Sequence, residues 1–92
     1  MNDLETDARR TLWRSRRGLL ELDLLLPPFT RARYQLLDAA ERAAYRALLE
    51  REDTEIWSWL QHRTTPDAPE LLSIVEAILR FNTCAAQHAE LN

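Results

Sequence analysis

Few residues in this chain have side chains that could act as nucleophiles, and none has the neighbours that catalysis requires. Cys84 is the only cysteine, and it lies near the C-terminal end, where the structural pattern is weakest. Ser15 and Ser58 are flanked by polar and aromatic residues and lack the strand-to-helix elbow of serine hydrolases. Covalent catalysis also needs a base and an orienting group beside the nucleophile. We therefore predict that the protein has no catalytic residue and is not an enzyme.

The composition also argues against bound metals and nucleotides. Two histidines and one cysteine do not form a recognisable zinc site. A single glycine, Gly18, is too few for a phosphate-binding loop or a dinucleotide fingerprint. No apolar stretch approaches the roughly 20 residues that a membrane span requires. We expect no metal site, no stably bound cofactor, no membrane insertion and a cytoplasmic location, where a lone cysteine stays reduced.

The positive charge is concentrated near the N-terminus. All twelve basic residues are arginines, and the whole chain carries a net charge of −3 with a pI near 5.3. The arginines between residues 8 and 20 could contact phosphates, but the acidic remainder of the chain would repel a polyanion. We expect no nucleic-acid partner. A solvated face and a protein-binding face both remain open for these arginines.

The sharpest feature is the segment that runs from Arg17 through Gly18 to Glu21. One interpretation is structural: Arg17 interacts with a helix C-terminus, Gly18 supplies a positive φ angle, and Glu21 begins the next helix. The other is functional, since a glycine among charged side chains leaves backbone open to close docking. Both interpretations stay open from the residues alone. The candidate partner-binding residues are Arg10, Arg14, Arg16, Arg17, Gly18 and Glu21.

The elements that position these residues are predicted to be helices. Leu4, Ala8 and Leu12 recur at four-residue spacing, which predicts a first helix over about residues 4–16 that ends near Gly18. A second, short helix should run over residues 19–26 and stop at the proline pair that follows. Leu19, Leu22 and Leu26 lie on one face of this helix and Leu20 and Leu24 on another, so its leucines predict burial on more than one side.

Further helices follow in the rest of the chain. A short helical turn should carry Phe29 and Tyr34, because the proline before them suits a first helical turn. Acidic residues should then cap three more helices, and apolar residues at helical spacing should form the core. The caps are Asp38 with Glu41 for a helix to about Arg51, then Asp53, then Asp67 with Glu70. The predicted core positions are Ala40, Ala44, Ala47, Leu48, Ile56, Trp59, Leu60, Leu71, Ile74, Val75, Ile78 and either Phe81 or Asn82.

These elements predict an all-α protein, a small compact five-helix single domain. With 92 residues, 46% of them apolar and 29% charged, the chain has the composition of one soluble globular domain. We place the domain at residues 1–82. Residues 83–92 lack a sustained apolar stripe, so we expect a frayed or disordered C-terminal tail there.

The chain resembles a known family, the SdhE assembly factors that promote flavinylation of succinate dehydrogenase. Trp13 and the segment from Arg16 to Asp23 look like the RGxxE motif of that family in its usual setting. Further landmarks follow in the expected order, without gaps, over about residues 5–80. They are Pro28, Phe29, Tyr34, Leu37, Asp38, Glu41, Leu48, Leu49, Glu50, Glu52, Asp53, Trp59 and Leu60. Leu20 departs from the family pattern, which often has a basic residue there.

The resemblance implies a function in binding rather than catalysis. Family members bind the flavoprotein subunit of succinate dehydrogenase, or of fumarate reductase, and assist covalent attachment of FAD to a histidine of that subunit. FAD would thus be handled on the partner, and the surface around Gly18 would dock there. The alternative is a small regulatory protein-binding module, similar to an antitoxin, without a role in flavin attachment. In either case we expect a monomer.

Overall fold

The computed structural model describes the backbone of residues 3–91 and the side chains of residues 3–83. Over residues 3–91 the chain is helical, with no strand, so the predicted all-α single domain is confirmed. The helices are α1 (Asp3–Arg14), α2 (Leu20–Arg33), α3 (Ala39–Leu48), α4 (Asp53–Leu60) and α5 (Pro69–Leu91), with a 3-10 turn (Tyr34–Leu36) after α2. No helix in this part of the chain is long and apolar enough to cross a membrane.

Helix α1 lies against the rest of the domain through a mixed face. Its predicted apolar stripe of Leu4, Ala8 and Leu12 is half-buried rather than fully enclosed. Two polar residues are buried more deeply, Thr11 within α1 at 2% exposure and Ser15 directly after it at 0%. The Ser15 hydroxyl donates to the Leu12 carbonyl at 2.6 Å, which satisfies its hydrogen bond without water. The end of α1 is therefore held tightly against the domain.

The prediction for the proline pair is wrong. We expected a helix over residues 19–26 that stops at Pro27 and Pro28, followed by a separate turn with Phe29 and Tyr34. Instead α2 continues through both prolines to Arg33, and only Tyr34 begins a 3-10 turn. Each proline removes one helical hydrogen bond, which is a local cost. Burial of α2 on both sides of the prolines outweighs that cost, because tertiary packing overrides local preference.

A buried hydroxyl network supports α2 just after the prolines. The Thr30 hydroxyl donates to the Leu26 carbonyl at 2.8 Å. The Tyr45 hydroxyl, from α3, lies 2.6 Å from the Thr30 oxygen and 3.3 Å from the Leu26 carbonyl oxygen. Burial raises the pKa of Tyr45 well above its ordinary value, so the phenol stays protonated and able to donate. The network fixes the C-terminal half of α2 against α3.

The predicted caps have different outcomes, and the one assigned to Asp67 is wrong, since α5 begins at Pro69 and Asp67 lies two residues before it. The Asp38 capping box is confirmed: Asp38 accepts from the Glu41 amide at 2.8 Å, and Glu41 accepts from the Asp38 amide at 2.9 Å. The cap assigned to Asp53 is wrong, since Asp53 is the first residue of α4 and Glu52 stands at the N-cap position. Helix α3 also ends at Leu48, three residues before the predicted end at Arg51.

The core lies where α2, α3, α4 and α5 meet. The predicted inward faces of α4 and α5 are confirmed, since the residues predicted for them from Ile56 to Ile78 are all buried. The stripe predicted for α3 is partly wrong, because Ala40 and Ala47 are exposed and Tyr45 is buried instead. The fully described core residues are Leu22, Leu26, Phe29, Tyr34, Ala44, Tyr45, Leu48, Leu49, Ile56, Trp59, Leu60, Leu71, Ile74, Val75 and Ile78.

The domain boundary at residue 82 and the frayed or disordered tail over residues 83–92 stay predictions. The backbone of helix α5 runs from Pro69 to Leu91. The physical reason is that no glycine or proline follows Pro69, so the sequence has no residue that stops the helix. The side chains of residues 84–91 lie outside the described part of the chain.

Candidate functional site

The connection between α1 and α2 is built around Gly18. Residues 15–19 form this connection, and Gly18 is exposed with a φ angle of +81°. That backbone conformation favours glycine, as predicted from the sequence. A Cβ atom added at Gly18 would meet nothing within 4 Å, so no part of this molecule covers the glycine. The backbone at Gly18 is therefore open to another molecule.

Asp23 holds the backbone of this connection from the first turn of α2. Its Oδ1 atom accepts from the Arg17 amide at 2.7 Å, and its Oδ2 atom accepts from the Gly18 amide at 3.2 Å. One carboxylate thus satisfies two consecutive amides that follow the end of α1. Charge-assisted bonds of this kind are stronger than neutral ones. They fix the path of the chain into α2.

The Arg17 side chain points into the molecule and is only 17% exposed. Its Nε atom donates to Asp53 Oδ1 at 2.7 Å. Its Nη1 atom donates to the carbonyls of Leu49 at 2.7 Å and Arg14 at 3.2 Å. Its Nη2 atom donates to the Arg51 carbonyl at 3.0 Å. The guanidinium therefore joins the end of α1 to the connection between α3 and α4, and its contact with the helix C-terminus agrees with the structural interpretation.

The other candidate residues remain on the outside. Glu21 lies exposed in the first turn of α2, and no ion pair is found for it within residues 3–83. Arg10 and Arg16 are also exposed. Arg14 is half-exposed and reaches Glu50 only at 3.9 Å, a loose surface pair of little energetic value. These side chains are available to a partner, whereas Arg17 is already engaged.

Apolar side chains are exposed around the same connection. Trp13 is 76% exposed, Leu20 68% and Leu24 63%. Because Leu20 and Leu24 were expected to be buried, that expectation is wrong: α2 buries one face, through Leu22 and Leu26 among others, and leaves the other open. Clustered exposed apolar side chains mark binding surfaces more often than scattered ones do. We call the exposed set Arg10, Trp13, Arg14, Arg16, Gly18, Leu20, Glu21 and Leu24 the turn surface.

The sequence interpretation missed two residues that hold the turn surface in place. Asp23 carries a local signal, a short acidic side chain in the first turn of a helix that follows a glycine turn. Asp53 carries none, because 36 residues separate it from Arg17 and its position suited a helix cap equally well. Only the folded chain brings it to the guanidinium.

Fold and site together define a small helical domain with exposed arginines and exposed apolar side chains on both sides of one turn, which are residue types enriched at protein–protein interfaces. The chain belongs to the Sdh5 family, described as the flavinator of succinate dehydrogenase, and the family model matches residues 9–82. The resemblance found in the sequence is thus confirmed.

Individual relatives agree with this assignment. The chain is 45% identical over 75 residues to the FAD assembly factor SdhE of Pseudomonas aeruginosa, covering 82% of this chain and 89% of the relative. It is 44% identical over the same length to that of Pseudomonas putida, with the same coverage. A more distant relative, the FAD assembly factor SdhE of Coxiella burnetii, is 30% identical over 76 residues, which cover 83% of this chain and 93% of that protein.

Proposed function

We propose that this chain is an FAD assembly factor that binds the flavoprotein subunit of succinate dehydrogenase and promotes covalent attachment of FAD to it. The proposal rests on family membership together with one structural observation, the open backbone at Gly18 within the turn surface. The flavoprotein of fumarate reductase is a second candidate partner. We further propose that the protein acts as a cytoplasmic monomer, binds no cofactor stably and catalyses no reaction of its own.

The turn surface has the chemistry of a protein-docking site. Trp13, Leu20 and Leu24 supply apolar area, and aromatic residues and arginines are the types that dominate binding energy at interfaces. Glu21 adds a negative charge with no internal partner among residues 3–83, so it can pair with a cation on the flavoprotein. At Gly18 the two backbones can approach closely.

Binding could assist flavin attachment without any catalytic residue on this chain. A partner that binds one arrangement of the flavoprotein more tightly than the others shifts the population toward that arrangement. If the favoured arrangement places FAD beside the residue to which it becomes attached, the reaction proceeds on the flavoprotein itself. The turn surface would supply the differential binding energy.

The test is covalent flavin on the flavoprotein subunit, read as fluorescence in a denaturing gel. Four conditions are compared: no added chain, wild type, Glu21→Ala and Glu76→Ala. Glu76 is a matched control, since it is an exposed glutamate on α5 for which no ion pair is found in the described part of the chain. We expect wild type and Glu76→Ala to raise the signal and Glu21→Ala to raise it much less. Circular dichroism verifies that both variants fold.

The outcomes separate the parts of the proposal. An equal signal with and without the chain would refute the assembly-factor function for this flavoprotein and favour the regulatory alternative. A full signal with Glu21→Ala would keep the function but remove Glu21 from the docking site.

A further inference from the structure

Arg17 and Asp53 form the most extensively bonded polar pair of the described residues, and neither belongs to the exposed turn surface. We infer that they are positioning residues, which hold the turn surface in its binding conformation from behind and do not contact the partner. The part of the inference that concerns partner binding rests on the proposed function. It adds a role for Asp53 and the α3–α4 connection, and it reassigns Arg17 from a contact to a support.

The bonding of Arg17 argues against a direct contact. Its guanidinium donates four hydrogen bonds inside the molecule, at 2.7, 2.7, 3.0 and 3.2 Å. To reach a partner, the side chain would have to break these bonds and leave Asp53 and three carbonyls without their donor. Arg14 and Arg16 lie beside it and are exposed, so a partner that needs a cation can use them instead.

The residue types fit a support. A guanidinium is a planar fork with five donors, so one arginine can bind a carboxylate and several carbonyls that lie in different directions. A lysine has one nitrogen at the end of a flexible chain and cannot span these acceptors. Asp53 begins α4, so its bond with Arg17 connects the turn to a regular element of the core rather than to another loop.

Two supports together determine where Gly18 and Glu21 lie. Asp23 binds the amides of Arg17 and Gly18 from α2, while Asp53 and the α3–α4 carbonyls bind the Arg17 side chain from the opposite part of the chain. If either set of bonds is removed, the connection can rotate about the set that remains. The turn surface would then occupy many orientations, and binding would have to select one of them at a cost in affinity.

The first experiment needs no partner. Amide hydrogen exchange at Gly18 is measured by NMR in wild type, Asp53→Asn and Asp53→Leu. Both variants remove the same charge, but Asn retains an oxygen that can accept from the Arg17 Nε atom. We expect exchange at Gly18 to be about tenfold faster in Asp53→Leu, with Asn intermediate, while amides in α5 keep their protection. Unchanged exchange at Gly18 in Asp53→Leu would overturn the inference.

The second experiment is a double-mutant cycle on affinity for the flavoprotein subunit before flavin attachment. Arg17→Ala, Asp53→Leu and the double variant are compared at a temperature where all are fully folded. If both residues act through their mutual bond, each single change weakens binding several-fold and the double variant is no worse than the poorer single one. Arg63→Ala, an exposed arginine outside the turn surface, serves as the control with unchanged affinity.

The outcomes of the cycle decide whether the two residues act together. A large loss for Arg17→Ala with none for Asp53→Leu, or losses that add, would show that Arg17 and Asp53 do not act through their mutual bond and would overturn the inference. If wild type itself does not bind the flavoprotein, the proposed function fails, and the exchange experiment still decides whether Asp53 positions the turn.

Discussion

Two of the connections between helices are held in place by different kinds of contact. The α1–α2 connection, residues 15–19, is held by the largely buried guanidinium of Arg17 and by the Asp23 carboxylate, which accepts from the amides of Arg17 and Gly18. The α4–α5 connection, residues 61–68, is held at the surface. There Arg51 binds both oxygens of Asp67 at 3.1 and 3.2 Å, and the hydroxyls of Ser58 and Thr64 lie 2.9 Å apart.

The two connections also differ in how much apolar side-chain surface is exposed beside them. The α1–α2 connection is flanked by the exposed Trp13, Leu20 and Leu24, at 63–76% exposure, whereas the large apolar residue exposed beside the α4–α5 connection is Leu72, at 37%. Each connection contains one positive φ angle, at Gly18 and at His62. Rigid support combined with exposed apolar area is what a preorganised binding surface needs, since less order has to be imposed on binding. The comparison therefore points to α1–α2 as the functional connection.

The sharpest test of the comparison is to remove the arginine side chain that supports each connection, Arg17 for α1–α2 and Arg51 for α4–α5. Arg17→Ala should lower the free energy of unfolding by about 2–3 kcal/mol, near the low end for a broken buried pair because Asp53 is one-third exposed. For a domain of this size that corresponds to a fall in Tm of roughly 10–20 °C. Arg51→Ala should cost clearly less, because its ion pairs are at the surface. Thermal and urea unfolding measure both.

Equal losses of unfolding free energy in Arg17→Ala and Arg51→Ala would contradict the comparison. They would mean that the contact of Arg51 with the Trp59 ring, whose centre lies 5.2 Å from the guanidinium carbon, supports the α4–α5 connection as strongly as the buried bonds support α1–α2.

Asparagine in place of Gly18 or of His62, the two residues with a positive φ angle, tests function rather than stability. Asparagine tolerates this backbone region better than other non-glycine residues, and a Cβ at Gly18 meets no neighbour, so Gly18→Asn should fold with a loss of about 1 kcal/mol or less. It places a side chain on the turn surface, however, and should weaken flavoprotein binding at least about tenfold, or 1.4 kcal/mol. His62→Asn should leave binding unchanged. Titration of the flavoprotein with each variant measures the effect.

Wild-type affinity in a folded Gly18→Asn variant would remove the glycine backbone from the docking site. A similar loss in His62→Asn would instead show that the α4–α5 connection also contacts the partner, and the distinction between the two connections would no longer hold.

Local signals in the sequence were sufficient for the features that depend on neighbours along the chain. The Asp38–Glu41 capping box, the inward faces of α4 and α5 and the positive φ of Gly18 follow from spacing and residue type alone. Family membership was likewise recognisable, because the RGxxE segment and the landmarks after it are sequence features. What these successes share is that no contact between distant segments was needed.

The errors have the opposite origin. The proline pair was expected to stop α2, but burial on both sides of it favours continuation, and that burial is invisible without the rest of the fold. Asp53 was interpreted as a cap because it stands at the start of a predicted helix. Its bond to Arg17 joins residues 36 positions apart, so the sequence carries no local sign of it. The exposure of Leu20 and Leu24 could not be foreseen either, since a leucine-rich helix ordinarily buries more than one face, and it was this departure that indicated the turn surface.

The smallest predicted effect concerns pH and the surface pair of the α4–α5 connection. Hydrogen bonding to Arg51, together with its charge, lowers the pKa of Asp67 below its ordinary value of 3.8. A carboxyl whose pKa is lowered by folding stabilises the protein above its unfolded pKa, and that contribution disappears as the pH falls through the folded pKa. The difference in stability between wild type and Asp67→Asn should therefore be constant near neutral pH and shrink below about pH 4.

Salt should act on this difference in the same direction as acid. The Asp67 side chain is 70% exposed, so ions screen its attraction to Arg51, and 1 M salt should reduce the difference between wild type and Asp67→Asn at pH 7. The loss caused by Arg17→Ala should persist at the same salt concentration, since three of the four bonds of Arg17 go to backbone carbonyls and the side chain is largely buried. If salt reduced both losses equally, the support behind the turn surface would be mainly a surface ion pair, and its rigidity would need another source.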